Sequence, residues 1–436
     1  MRLLLIIALQ GALFAQTYSE IVQAVDDSPA LQSAKEMSMA AGSAAEAAKG
    51  RSLPTLDLSF SAAWLKDTPT VTFRLPGSPP LEAPMGTKRN FVGSLRLAYP
   101  LFTGFALSAE IDKAKLEHKT AVLKLLDLKR NLYITATELA SASYAADKSL
   151  EARIEAKRAM DEAYKKAKGL YENGLIPPSD LYNIEAKRYA VEAEIVEAKT
   201  EKRKILNRLG YLLNMKLDSV ELPLGMSAVD IDEDLVIKEA LRSREDIKAL
   251  QNVLKADSDR VDMAKSRFYP NIALAAELKR RGNTPELNGD GFTNADQSYI
   301  GASARWNLFS GFSDTENVEA ARYRRLSSQA ALDDYKKRVK TELENAFLDL
   351  FALESRLRSA KMELKARKAY CDLTKGRFEN QLAGADELSR SIAELFASKA
   401  KVYVLESRIF SQKALIWLMA GIEPFKSRFL EKSTIR

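Results

Sequence analysis

The chain runs to 436 residues, 46% hydrophobic and 29% charged, enough apolar mass for a sizeable core, which excludes a chain disordered by composition. Its net charge of +7, from 66 basic and 59 acidic residues, is small for this length, and Lys and Arg interleave with Glu along stretches such as Glu151–Arg158, which argues against a nucleic-acid patch. One cysteine, Cys371, excludes an internal disulfide, and one histidine, His118, leaves histidine-based catalysis or metal binding almost without raw material.

Met1-Arg2 opens a short apolar run, Leu3–Leu9, that ends in small residues near Ala12 and Ala15, so residues 1–15 read as a secretory signal peptide. That run is too short to span a bilayer, and no later segment approaches the ~18 uninterrupted apolar residues a membrane helix needs. No cysteine near the cut site would carry a lipid anchor. The first helix is expected over Tyr18–Gly50, and a strand follows at about 55–65. There Leu56, Leu58, Phe60, Ala62 and Trp64 face one way, and Thr55, Asp57, Ser59 and Ser61 the other. Asp67–Arg89 holds Pro69, Pro76, Pro79, Pro80 and Pro84 and reads as a loop. A second strand at about 90–99 sets Phe91, Gly93, Leu95, Leu97 and Tyr99 opposite Ser94 and Arg96.

Residues 104–173 then contain no proline and, after the first position, only Gly169, while Leu, Ala, Lys and Glu dominate. At ~1.5 Å per residue this is a helix of roughly 105 Å, far longer than a compact domain uses. Leu125, Leu128, Leu132, Thr135, Leu139 and Ala142 recur at the three- and four-residue steps of helix-on-helix packing. Gly174, Pro177 and Pro178 break the helix, and Ser179 can cap the next one, expected over 179–214. The second half repeats this order, with a helix over Asp234–Arg267 and strands at about 271–280 and 298–307. A long helix over 311–380, a turn at Asn380–Glu387 and a helix over 385–421 complete it. His118 reads as a solvated helix residue and Cys371 as a packed one.

The two halves, 16–220 and 221–436, carry matching residues. Leu101-Phe-Thr-Gly-Phe105 returns 207 positions later as Leu308-Phe-Ser-Gly-Phe312, and at the same offset Glu172-Asn173 meets Glu379-Asn380. Lys49-x-Arg51-x-x-Pro54 returns 216 positions later as Lys265-x-Arg267-x-x-Pro270, so the extra nine residues fall in the proline-rich loop, where insertions concentrate. Strands of about ten alternating residues, bounded by aromatics such as Trp64, Phe91, Tyr99, Tyr299 and Trp306, carry the pattern of a transmembrane β-barrel. A two-layer soluble sheet is the plainer reading of alternation alone. Four strands cannot close a barrel and open edges are not tolerated in lipid, so a barrel reading requires several copies of the chain. Each pair of shorter helices is expected to stack end to end beside a long one, with strands and turns at opposite ends of a shaft of roughly 100 Å.

This order, with Leu-Phe-Thr/Ser-Gly-Phe at each strand-to-helix junction, resembles the TolC family of outer membrane efflux proteins. Ser28-Pro29-Ala30-Leu31 and Arg244-Glu245-Asp246-Ile247 resemble that family's early helix motif, and Glu172-Asn-Gly-Leu175 with Ser179-Asp-Leu181 resembles its periplasmic tip. The resemblance implies a mostly α fold with a transmembrane β part: a homotrimer whose copies share a twelve-stranded barrel and a helical tunnel. It also implies a tip docked by a periplasmic adaptor and an inner-membrane pump. In the family, acidic residues just past the second tip turn ring the tunnel and favour cations. Here Glu387 matches the first of them, Arg390 replaces the second, Asp386 stands beside Glu387, and Asp180 is the corresponding acid of the first half. Symmetric copies would gather these carboxylates; as first-turn acids they also suit the helix dipole. Gly174, Leu175 and Leu382 resemble adaptor-contact positions, and turn packing accounts for them equally well. No phosphate-binding glycine loop is present, and no enzyme activity, cofactor or metal is expected. The expected function is a passive export duct in the outer membrane; the alternative is a periplasmic adaptor or coiled-coil scaffold without a pore.

Overall fold

The computed structural model describes residues 16–224, 232–289 and 295–421; the expected leader, residues 1–15, lies outside them. In chain order, β1 (Gln16–Thr17) leads to helices α1 (Tyr18–Ala24) and α2 (Pro29–Gly50), then strands β2 (Thr55–Trp64), β3 (Thr70–Phe73), β4 (Leu81–Pro84) and β5 (Arg89–Thr103). Helices α3 (Ala106–Glu172) and α4 (Pro178–Leu213) follow, then β6 (Val220–Glu221), α5 (Glu233–Ser243) and α6 (Glu245–Lys265). Strands β7 (Asn271–Gly282) and β8 (Tyr299–Arg305) and helices α7 (Ser313–Glu379) and α8 (Ala385–Met419) come last. Helices α3 and α7 are each 67 residues long.

Several boundaries differ from expectation, each for a local reason. Tyr18–Gly50 is two helices, because the chain turns extended at Ser28 (φ −62, ψ 131) and restarts with Pro29, which lacks the N–H an interior position would need. Asp234–Arg267 likewise divides at Arg244 (φ −57, ψ 131), 216 positions after Ser28 and with no proline to force it. The proline-rich loop contains a hairpin, β3 paired antiparallel with β4 from Thr70↔Pro84 to Phe73↔Leu81. Strand β5 runs on to Thr103, with a bulge at Leu101 directly after Pro100, which itself still stands opposite Ala273. Strand β8 stops at Arg305, and the Trp306 indole N–H donates to the Phe268 carbonyl at 3.1 Å.

The described residues form two compact units, and each draws on both halves of the sequence. The first, Ser38–Ala121 with Ala249–Leu332, contains an antiparallel sheet in the order β2-β5-β7-β8. Directly opposed residues share a face, so the pairings Leu58↔Leu95↔Leu278 and Leu56↔Leu97↔Ala276↔Ile300 build one apolar surface. The opposite face carries Asp57↔Arg96↔Glu277↔Tyr299 in one row and Ser59↔Ser94↔Lys279 in the next, with the Ser59 and Ser94 hydroxyls 2.9 Å apart. The apolar face is bare: Leu58 is 83% exposed and Ile300 85%. In the same unit His118 is half-buried rather than solvated, its ring lying over Gly42, where a Cβ would come within 3.2 Å of Nε2.

The second unit is helical. Tyr18, Ile21, Val22 and Val25 pack with Leu132, Tyr133, Ala136 and Ala140 of α3 and Leu206, Leu209 and Leu213 of α4. The parallel pairing of Gln16 with Val220 brings the start of α1 to the end of α4, so the two shorter helices meet beside the middle of α3. Ala136 and Ala140 are fully buried, and their small side chains let the backbones approach. Burying each large member of this cluster contributes about 1.5–3 kcal/mol.

Candidate functional site

The Leu-Phe-Thr/Ser-Gly-Phe motif makes one junction twice. Gly104 (φ 61) and Phe105 (φ 69) are both left-handed, as are Gly311 (φ 63) and Phe312 (φ 68), which swings the chain from strand into long helix. Thr103 and Ser310 accept from the Leu107 and Asp314 N–H at 3.1 and 3.3 Å, capping the new helices. Phe102 and Phe105 meet edge to face at 5.2 Å, and Phe309 and Phe312 at 5.5 Å, which holds each strained Phe in place.

The turns at the other ends of α3 and α7 are also built alike. Gly174 (φ 69) and Gln381 (φ 60) are the left-handed residues that end the helices. The Leu175 N–H donates to Leu170 O at 2.9 Å and the Leu382 N–H to Arg377 O at 2.7 Å, satisfying carbonyls the helix end would leave open. The Asn173 and Asn380 side-chain amides donate to the Gly169 and Gly376 carbonyls at 2.7 and 2.8 Å. Ser179 does not cap α4: the cap position is Pro177, Pro178 occupies the first turn, and no side chain caps the helix. Beneath the turns Met160, Leu181, Ile184, Phe378, Leu388 and Ile392 form one buried cluster, which ties the two turns together. Cys371 belongs to it, and burial pushes its thiol above the ordinary range.

Within this setting the candidate acids are not equivalent. Asp386 pairs with Arg390 one helical turn on. Glu387 accepts from Arg377 Nη1 at 2.9 Å and from the Tyr370 hydroxyl at 3.3 Å, while Arg377 Nη2 donates to Leu382 O at 3.0 Å. Both second-turn carboxylates are therefore offset within the chain. Asp180 sits half-buried in the first turn of α4. Leu175 and Leu382 are 50% and 69% exposed, and nothing lies within 4 Å of a Cβ placed on Gly174.

A model of the outer membrane efflux protein family matches residues 21–215 and 236–404, which covers both strand pairs, both long helices and both turns. The chain belongs to that family. Among solved structures, CusC, whose structures concern folding and transmembrane channel formation, is similar at 14% identity, over 96% of each chain, with a TM-score of 0.81. The outer-membrane channel OprN matches at 17% identity over 93% of this chain and 90% of its own, with a TM-score of 0.79. The outer membrane protein VceC of Vibrio cholerae matches at 17% identity over 93% and 96%, with a TM-score of 0.76. At these identities the likeness is one of fold. A comparison with curated protein sequences finds no match. Among the described residues, no helix of this efflux protein is long and apolar enough to cross a membrane.

One further polar site of this efflux protein went unforeseen, a buried ion cluster in the helical unit. Asp246 accepts from Arg244 Nη2 at 2.5 Å, from Arg130 Nη2 at 2.8 Å and from the Tyr335 hydroxyl at 2.7 Å, and Arg130 also reaches Asp127. Burial alone would raise the Asp246 carboxyl; the bonds from Arg244, Arg130 and Tyr335 outweigh it and hold the group well below the usual carboxylate range. Tyr335 is pushed up to about 12 by burial and by Asp246, and Asp127 is raised chiefly by burial. Arg244 Nη1 donates to Met419 O at 3.2 Å and Ser243 Oγ to Ala420 O at 2.9 Å, so the break between α5 and α6 also caps α8. The cluster carries two cations and two anions and functions as a structural lock. Arg244-x-Asp246 was its only sequence signal, since Arg130 and Tyr335 come from other helices.

Proposed function

We propose that this chain is the exit duct of an efflux or secretion assembly, a homotrimer whose copies share one twelve-stranded barrel in the outer membrane and one helical tunnel on the periplasmic side. A single observation carries the reading: the four-stranded sheet has an exposed apolar face, and its outer strands, β2 and β8, have no partner on their free edges among the described residues. Unpaired edges are not tolerated in lipid, and single-chain barrels begin at about eight strands. Pairing β2 of one copy with β8 of the next removes every edge, and three copies reach twelve strands. The face with Asp57, Arg96, Glu277 and Lys279 then lines the lumen, and Leu56, Leu58, Leu278 and Ile300 meet lipid.

Transport through such a duct is passive, so energy comes from an inner-membrane transporter joined through a periplasmic adaptor. Leu175 and Leu382, exposed apolar residues on ordered turns, are the adaptor contacts in this reading, with Gly174 leaving room beside them. Asp180, Asp386, Glu387 and Arg390 set the charge of the tip. The test is fractionation followed by recording. A heat-resistant oligomer in the outer membrane that conducts ions in planar bilayers supports the duct. Release by osmotic shock as a species without conductance refutes it and favours a periplasmic scaffold.

A further inference from the structure

The apolar face of the sheet ends in charge. Trp64 stands opposite Arg89, and Gly93 opposite Arg280, so both arginines share the face of Leu58, Phe60, Phe91 and Leu278. They lie at the end of the sheet where β2 finishes at Trp64 and β7 at Gly282. Both are exposed, as are Lys66 and Lys88 beside them. Among the described residues none of the four forms a salt bridge; Asp296, across the ladder from Arg280, feels its charge without closing an ion pair and accepts from the Ser298 N–H at 2.9 Å and from its hydroxyl. Beside Arg89, on the β2 side, lies an apolar floor whose open surface is Trp64 and Phe60, 67% and 60% exposed. Phe91 is 7% exposed, with Trp64 edge-on at 5.8 Å and Phe60 at 6.4 Å. Leu287 closes over Gly93, where a Cβ would lie 2.8 Å from its Cδ1.

A guanidinium on a lipid-facing strand is costly at mid-bilayer and nearly free at headgroup level, where aromatic girdles also sit. Guanidinium matches phosphate with paired hydrogen bonds that an ammonium cannot reproduce. We propose that Arg89 and Arg280 bind the phosphate groups of outer-leaflet lipid headgroups while the exposed Trp64 and Phe60 rings beside Arg89 take the start of an acyl chain. The proposal rests on the membrane-barrel reading above and deepens it. A lipid fits better than an acidic protein because the floor is continuous with the surface that meets the bilayer.

The test uses the full-length oligomer in detergent, with bound lipid counted by native mass spectrometry. Its probes are diphosphoryl lipid A, the same lipid dephosphorylated, inorganic phosphate and poly-glutamate. Diphosphoryl lipid A binds roughly tenfold more tightly than the dephosphorylated form, and the R89Q/R280Q double variant loses that preference. Inorganic phosphate at equal concentration does not displace the lipid, because it lacks the acyl contact. Equal binding with and without lipid phosphate, or an undiminished preference in the double variant, overturns the proposal, as does displacement by poly-glutamate. Planar-bilayer recording separates the two readings. If the wild type conducts yet ignores lipid phosphate, only the lipid site falls; if it never conducts, the barrel falls and takes the site with it.

Discussion

Replacing Asp246 with asparagine removes the anion at the centre of the buried cluster while keeping its shape. Arg130 and Arg244 are only 9% and 7% exposed in their side chains, so neither guanidinium can turn to water for compensation. In the variant they share Asp127 as the one remaining carboxylate of the cluster, and its bonded partner is Arg130. Breaking a buried ion pair by removing one partner costs about 3–5 kcal/mol, because an uncompensated charge stays behind. That corresponds to a loss of ~10²–10⁴ in the folding equilibrium. Tyr335→Phe, which removes a single hydrogen bond to the charged group, costs about 1.5–3 kcal/mol and ranks below it. Heat dissociation of the purified oligomer measures both. The pH dependence adds a second readout: the folded carboxyl lies below its unfolded value of about 3.9, so its contribution is complete above that pH and declines as the pH falls through the acid range. Wild-type stability should therefore fall with acid more steeply than that of the asparagine variant. A variant within about 1 kcal/mol of wild type, or one with the same acid profile, would refute the assignment of this cluster as a lock.

Gly104→Ala should destabilise more than Gly311→Ala although the two share a motif. Both pay about 1 kcal/mol for a left-handed alanine, but a Cβ at 104 also meets Ser266 O at 2.5 Å, whereas at 311 it meets nothing within 4 Å; equal melting shifts would contradict this. Arg377→Gln should barely change stability, since the pair with Glu387 is 43% and 33% exposed and worth about 0–1 kcal/mol. It should nevertheless raise cation preference, read as a shift in reversal potential across a salt gradient, and an unmoved potential would remove Glu387 from the pore. On the proposed duct reading, Leu382→Asp abolishes co-purification with a periplasmic adaptor while leaving the oligomer intact; retained co-purification would reassign the residue to turn packing.

The elements that could be read in advance are those whose partners lie a few residues away. Each tip turn closes on bonds spanning five residues, such as Leu175 to Leu170, so the recurrence of Asn173 and Leu175 at 380 and 382 was visible as pattern. The same holds for Phe102 against Phe105 and for the alternation along β2. The break before Pro29 was legible in principle, since proline cannot continue a helix, but periodicity on either side masked it. The matching break at Arg244 carried no such residue; it exists because the Arg244 side chain is held by Asp246 and by the end of α8.

Thus local rules in the sequence determined most of the helix spans, the strand faces and the repeated junctions. The folded chain alone decided the rest: that Arg130 and Tyr335, 116 and 89 positions from Asp246, converge on it, and that Arg377 reaches over the turn to Glu387. Hydrophobic period records which side of an element is buried, and it carries no information about which distant charge will be found there.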